Sequence, residues 1–320
     1  MRSAWYGLIV LCCFVRAAAA QEGITAVNFL RVNEEVCTAG QPSLEDLAKL
    51  KAQGIRSVIN LRRASEHNLE EESAKARELG LRYIHIPVDG NNIQDAQVEE
   101  FLKAAADPEN RPMFIHCAAA NRVGGFWMIR RVLADHQPLE EAEAEARKIG
   151  MCSGTVRDFA LAYIARQQAA AQLTEIRNYA RVAPDVHIGA QPRPEHYDKL
   201  KAAGIKVVLN LRTPEEHRAA EEEAQVQAAG LKYLNIPVKY TEPQTESFDE
   251  FLRVMDDPAN RPVFIHCTTT IRVAAMWMAR RVLREGWTLE KAEEEAMKFG
   301  LVTGPDLRDF TRAYIAKTKK

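Results

Sequence analysis

One long-range repeat constrains this chain more than any local pattern. Arg31-Val32 recurs as Arg181-Val182, Gln41-Pro42 as Gln191-Pro192, and Asn60-Leu61-Arg62 as Asn210-Leu211-Arg212. Ile86-Pro87-Val88 recurs as Ile236-Pro237-Val238, and Phe114-Ile115-His116-Cys117 as Phe264-Ile265-His266-Cys267. The offset stays at 150 from Asn28 to Gly154; one extra residue then enters the second copy, so Tyr163 matches Tyr314. A period this long is a whole domain, not a solenoid unit of roughly 20–50 residues. The 320 residues therefore predict two folded copies, 25–168 and 177–320. The joint between them lacks Gly and Pro, which predicts a helical connection and domains that pack on each other.

Within each copy, strand and helix signals alternate. In the first, Glu35–Thr38 reads as a strand, and Ser43 caps a helix through Lys51, with Asp46 in the capping-box position and Gly54 as the stop. Arg56–Leu61, Leu81–Pro87 and Pro112–His116 read as strands. Helices are expected over Glu66–Leu79, Ala96–Ala106, Arg122–Ala134, Leu139–Ile149 and Val156–Arg166. Such alternation predicts an α/β fold in each copy, a mostly parallel central sheet with helices on both faces. Ligands of these sheets bind beyond the carboxyl ends of the strands, where His116-Cys117 falls.

The first twenty residues are of another kind. Arg2 precedes an apolar run, Ala4–Val15, and small residues follow at Ala17–Ala20. Residues 1–20 read as a signal peptide, which predicts an exported protein, periplasmic or secreted. No later segment is apolar enough to span a bilayer, so no stable membrane insertion is expected once the leader is removed. The formal net charge of -1 offers no basic surface for nucleic acid. No ligand cluster for a metal is visible, and no cofactor is expected. Four cysteines remain: Cys37, Cys117, Cys152 and Cys267. The second copy has His187 and Val302 in place of Cys37 and Cys152, so both are absent together, which suggests a Cys37–Cys152 disulfide in an oxidising compartment; two unrelated buried thiols is the alternative.

The chemistry concentrates at the strand end. Cys117 is followed by Ala118, Ala119, Ala120 and Asn121, then Arg122 opens a helix. Amides of such a turn and helix start converge on one spot, favouring an anion and a thiolate at the loop start. An arginine across the loop can grip two phosphate oxygens. The second copy repeats the layout as Cys267, Thr268, Thr269, Thr270, Ile271 and Arg272. His116 and His266 are expected to hydrogen-bond the loop and hold its shape. Trp127 and Trp277 are expected in the core. Gln41 and Gln191 either approach the site or shape the turn before Pro42 and Pro192.

Four segments, VCTAGQP (36–42), VINLR (58–62), IPVD (86–89) and IHCAAANRVG (115–124), resemble the dual-specificity and tyrosine phosphatase superfamily, most closely its bacterial DUF442-type branch related to a domain fused to β-lactamase-like hydrolases. The resemblance covers Asn28–Arg166 and again Asn178–Lys317. It implies nucleophiles at Cys117 and Cys267, phosphate binding by Arg122 and Arg272, and a general acid at Asp89. The substrate would be a phosphorylated small molecule or phosphoprotein. The loops depart from the family pattern by having four residues between Cys and Arg instead of five. Ala120 and Thr270 stand at the usual loop glycine, and Val123 and Val273 at the usual hydroxyl residue. Asp89 is also readable as a turn carboxylate in DGNN, and it becomes Lys239 in the second copy, with Glu242 nearby. Two alternatives to a low-activity phosphatase stay open: a pseudophosphatase pair that binds an anionic ligand, and a rhodanese-like sulfurtransferase with a four-residue cysteine loop.

Overall fold

The computed structural model describes residues 23–319 except 217. The expected leader at residues 1–20 lies outside the described residues. By compactness the chain divides into residues up to 128 with 139–156, and residues 129–138 with 157–320.

The first copy opens with β1 (Leu30–Asn33), which turns back into β2 (Val36–Ala39). Next come α1 (Leu44–Ala52), β3 (Ser57–Asn60), α2 (Leu69–Glu78), β4 (Arg82–His85), α3 (Asp95–Ala106) and β5 (Met113–His116). Three helices follow: α4 (Asn121–Leu133), α5 (Leu139–Ile149) and α6 (Gly154–Ala171). The strand order is β1-β2-β5-β3-β4. β2, β5, β3 and β4 run parallel; only β1 is antiparallel. The sequence reading missed β1, whose alternate residues are only half-buried and whose sole partner is β2. The predicted helix from Glu66 begins later, because Ala64–Glu66 forms a separate 3-10 turn and Asn68 caps α2.

Local chemistry sets these ends. Ser43 Oγ accepts from Asp46 N (3.0 Å), and the Asp46 carboxylate accepts from Ser43 N (3.1 Å), a reciprocal capping box. Asp46 also accepts from the N–H and hydroxyl of Thr25 (2.8 and 2.9 Å), which pins the incoming chain to α1. Gly54 and Gly80, at φ +90° and +67°, take the left-handed turn that ends the helices before them. The joint is helical as expected: α6 runs on to Ala171 and a 3-10 turn covers Gln172–Glu175.

The second copy repeats the plan with β6 (Ala180–Ala183), β7 (Val186–Gly189), α7 (Glu195–Ala202), β8 (Val207–Asn210), α8 (Ala219–Ala228), β9 (Lys232–Asn235), α9 (Thr245–Asp256) and β10 (Val263–His266). It ends with α10 (Ile271–Leu283), α11 (Leu289–Lys298) and α12 (Pro305–Thr318). Its sheet order is β6-β7-β10-β8-β9. Alternation along the strands assigns the two faces. Val208 and Phe264 pack with Tyr197, Leu200 and Val226 of α7 and α8. Val207, Leu209, Val263 and Ile265 pack on the other face with Phe248, Trp277 and Leu307 of α9, α10 and α12. Each fully buried side chain of this size contributes about 1.5–3 kcal/mol, so both helical layers are needed. The sheet is mostly parallel with helices on both faces, as predicted. Trp127 and Trp277 are core residues.

Candidate active site

Register places the site. Ala39 and Asn60 both pair with His116, so β2, β5 and β3 end level and Cys117 leaves the sheet between its neighbours. Ala118 O accepts from Gln41 N (3.1 Å), Ala119 O accepts from Asn28 Nδ2 (3.0 Å), and Gly40 pairs with Ala119 as an isolated antiparallel bridge. A Cβ on Gly40 would stand 2.6 Å from Ala118 O, so only glycine lets the loop lie this close to β2. Asn121 Oδ1 accepts from Cys152 N and Ser153 N (2.9 and 3.1 Å), pinning the α5–α6 turn to the loop.

Ala120 sits at φ +62° and Thr270 at φ +86°. The backbone keeps the left-handed turn that glycine adopts cheaply even though both copies carry a side chain there. Such a residue costs about 1–3 kcal/mol. Thr270 regains part of this through its hydroxyl, which donates to Phe299 O (2.9 Å).

Cys117 and Cys267 are each 1% exposed. One flank of Cys267 rests on the core beneath α9–α12. Its sulfur accepts from Thr270 N at 3.1 Å. Each sulfur also acts on the arginine of its own loop. Burial works against the charge of Arg122, yet hydrogen bonding to Glu66 and the charge and hydrogen bond of Cys117 hold the guanidinium above its ordinary value. Arg272 is held up in the same way by Glu216 and Cys267. Neither a surface groove between α1 and α2 (Leu44, Ala48, Glu71, Ala74) nor one in the second copy (Gln191, Pro192, Arg212, Glu222) includes a loop residue.

Glu66 is the arginine's principal partner, and the sequence reading missed it. Its Oε1 and Oε2 accept from Arg122 Nη1 and Nη2 (2.8 and 2.7 Å), and Val88 O accepts from Nη1 (2.6 Å). Hydrogen bonds from Arg122, acting against burial and joined by those from Arg63, hold the Glu66 carboxyl at about 2. Glu216 does the same for Arg272 (2.5 and 2.8 Å) and is also held at about 2. The signal was in the repeat, since Glu66 and Glu216 match at the same offset.

His116 does not face the loop, contrary to expectation. Its Nε2 lies 2.8 Å from Glu72 Oε1, out of line for a well-formed hydrogen bond, and His266 lies 3.2 Å from Glu222. Glu72 is buried, and its carboxylate accepts from Gln41 Nε2 (2.6 Å) and Tyr83 OH (2.9 Å). Burial pushes the Glu72 carboxyl up, but His116, Gln41 and Tyr83 outweigh it and hold the group at about 2. Gln41 Oε1 in turn accepts from Arg62 Nη1 (2.6 Å). A charged polar support thus lies under the cysteine loop, and Gln41 belongs to it rather than to the mouth.

Asp89 is both a turn residue and a neighbour of the arginine. Its Oδ1 accepts from Asn91 N (3.0 Å), an Asx turn, and its Oδ2 accepts from Arg63 Nη1 (2.9 Å). A Cβ on Gly90 would stand 3.9 Å from the Arg122 Cγ and Cδ, so Gly90 lies over the aliphatic stem of that arginine while Val88 O takes its Nη1. In the second copy Lys239 is exposed, 4.0 Å from Glu242. The suggested Cys37–Cys152 bridge is not formed: both are free thiols. Cys37 points from β2 into the core with Leu47, Leu50 and Phe114, whereas Cys152 is exposed in the α5–α6 turn. No cluster of metal-ligand side chains occurs among the described residues.

Each copy is thus an α/β domain whose mostly parallel sheet ends in a cysteine loop closed by arginine. The family described as "DSP-PTPase phosphatase fused to NAD+ kinase" matches residues 18–150 and 164–303, and the chain belongs to it. A β-lactamase hydrolase-like protein of Agrobacterium fabrum is 36% identical over 109 residues, taking in 32% of this chain and 25% of that protein. The chain therefore spans about a quarter of the length of such relatives. The inositol diphosphatase DSP2 of Oryza sativa is 25% identical over 143 residues, covering 40% of this chain and 69% of that protein. A DUF442 structure from Shewanella putrefaciens has 24% identity and a TM-score of 0.40, covering 46% of this chain and 94% of that one. The family match gives both copies the dual-specificity and tyrosine phosphatase-like fold.

Proposed function

We propose that the first copy is a cysteine-dependent phosphomonoesterase and that the second binds an anion without turning it over. The observation that carries this is the donor inventory of the two arginines. A guanidinium has five N–H donors. Arg122 gives three to Glu66 and Val88, which leaves Nε and one Nη2 proton on the edge it turns to the Cys117 sulfur, the edge that can grip two phosphate oxygens. Arg272 gives a further Nη2 proton to Thr268 Oγ1 (3.1 Å), so half of that edge is occupied.

In the proposed reaction the Cys117 thiolate attacks phosphorus while Arg122 and the amides of Ala118–Asn121 hold the phosphoryl oxygens. The bond to the leaving oxygen breaks as Asp89 gives it a proton. Water then cleaves the cysteinyl-phosphate, releasing phosphate and thiolate. Val123 offers no hydroxyl to help the sulfur leave, so this second step is expected to be slow. Lys239 cannot take the acid's role in the second copy, and general acid catalysis is worth about 10²–10⁴ in rate. The substrate class is a phosphorylated small molecule or phosphoprotein; the inositol diphosphatase relative supports trying polyphosphorylated inositols. The proposed place of action, after removal of residues 1–20, is outside the cytoplasm.

The test is hydrolysis of p-nitrophenyl phosphate by the mature chain, with Cys117→Ser and Cys267→Ser. Activity should vanish in the first variant and persist in the second. Activity that survives Cys117→Ser would overturn the reading.

A further inference from the structure

We infer that Arg63 is a positioning residue for the Asp89 general acid, tying the acid's turn to the phosphate-binding arginine through Glu66. This role rests on the phosphatase reading of the first copy. The contacts form one chain. Glu66 Oε1 accepts from Arg122 Nη1 (2.8 Å) and from Arg63 Nε (3.0 Å), and Arg63 Nη1 reaches Asp89 Oδ2 (2.9 Å). Val88 O, one residue before Asp89, accepts from Arg122 as well. The acid's turn is thus fastened to the arginine at two points, once by backbone and once by side chain.

The second copy separates these two fastenings. There Thr213 replaces Arg63, and Lys239 replaces Asp89. Glu216 nevertheless still grips Arg272 with both oxygens, Val238 O still accepts from Arg272, and Thr213 N still donates to Glu216 (2.9 Å), as Arg63 N does to Glu66 (3.1 Å). The carboxylate–arginine pair therefore forms without an arginine side chain at this position. What that side chain adds is an extra bond to Glu66 Oε1 and, through its other end, the contact to Asp89, which is lost in the copy that has no acid to hold. A protonated Asp89 can keep the bond, because its carbonyl oxygen still accepts from Arg63 while the other oxygen carries the proton.

The experiment compares leaving groups. Phenolate needs a proton to depart; p-nitrophenolate hardly does. In the full mature chain, Arg63→Thr should lower kcat/KM, which reports the step that expels the leaving group, about tenfold more for phenyl phosphate than for p-nitrophenyl phosphate, part of the ~10²–10⁴ that an acid supplies. Arg63→Lys should restore most of the difference. Asp89→Asn should show the same leaving-group bias, and Arg63→Thr added to Asp89→Asn should not deepen it. A parallel loss on both substrates, no loss on either, or a further bias in the double variant would overturn the role. Cys117→Ser, run alongside, tells the two ideas apart: hydrolysis that does not depend on Cys117 removes the phosphatase reading and this role with it, whereas Cys117-dependent hydrolysis without the bias removes only the role.

Discussion

Glu66 holds Arg122 through both carboxylate oxygens, at 2.8 and 2.7 Å, on the side of the guanidinium away from its Nε/Nη2 edge. The arginine is thereby aimed rather than blocked. Its orientation is settled before any anion arrives, so little side-chain freedom is lost on binding.

The buried Glu72 makes stability depend on pH. Its carboxyl is held at about 2 in the folded chain, while an unfolded glutamate titrates near 4.3. The folded value is the lower one, so the stabilisation is complete above the unfolded value and is lost as pH falls toward about 2. Urea midpoints should hold from pH 7 to about 5 and fall steeply below it. Glu72→Gln should lower the unfolding free energy at pH 6 by about 2 kcal/mol, and flatten the acid limb. An unchanged limb in the variant would show that Glu72 does not contribute to it.

The left-handed loop residue offers a stabilising change. Ala120→Gly removes side-chain strain at φ +62° and should raise stability by about 0.5–1 kcal/mol, net of the entropy glycine adds to the unfolded chain. Thr270→Gly should gain less or lose, because the bond to Phe299 O goes with the side chain. Thermal melts of the two variants check the contrast; equal shifts would contradict it.

Alkylation should rank the thiols. Cys152, exposed, should react first under native conditions, and Cys37, buried in the sheet core with burial pushing its thiol up, last. Tyr240 replaces Gly90 in the second copy, and its hydroxyl donates to Thr303 O (3.0 Å) beside Ile271 at the end of the Cys267 loop. Tyr240→Gly should therefore raise the labelling rate of Cys267 severalfold, and peptide mapping after timed iodoacetamide treatment reads all four sites. A rate unaltered by the substitution would mean that the tyrosine does not shield the loop.

The comparison of residues explains what was legible. Ser43, Asp46, Gly54 and Gly80 act within a few residues of themselves, so capping and turn chemistry revealed α1 and the helix ends directly. Cys117 and Arg122 share one strand–loop–helix unit, and duplication marked them as a pair with Cys267 and Arg272. Glu66 and Glu72 carry no such local sign, because Arg122, Gln41 and His116 lie dozens of residues from them, and each reads as one more acid on a charged segment. His116 adjoins the loop in the sequence, but successive residues of a strand point to opposite faces and its side chain turns to Glu72. The joint absence of Cys37 and Cys152 from the second copy carries no distance, and the two thiols are free.

The amino-acid order alone determined the duplication, the alternating strands and helices, and the cysteine–arginine loop at a strand end, since each depends on periodicity or short-range geometry. Folding decided which carboxylates hold the arginines, which donors remain for an anion, and how Asp89 is tethered. Those depend on side chains from separate elements meeting at the carboxyl edge of the sheet, where register and burial, not spacing along the chain, choose the partners.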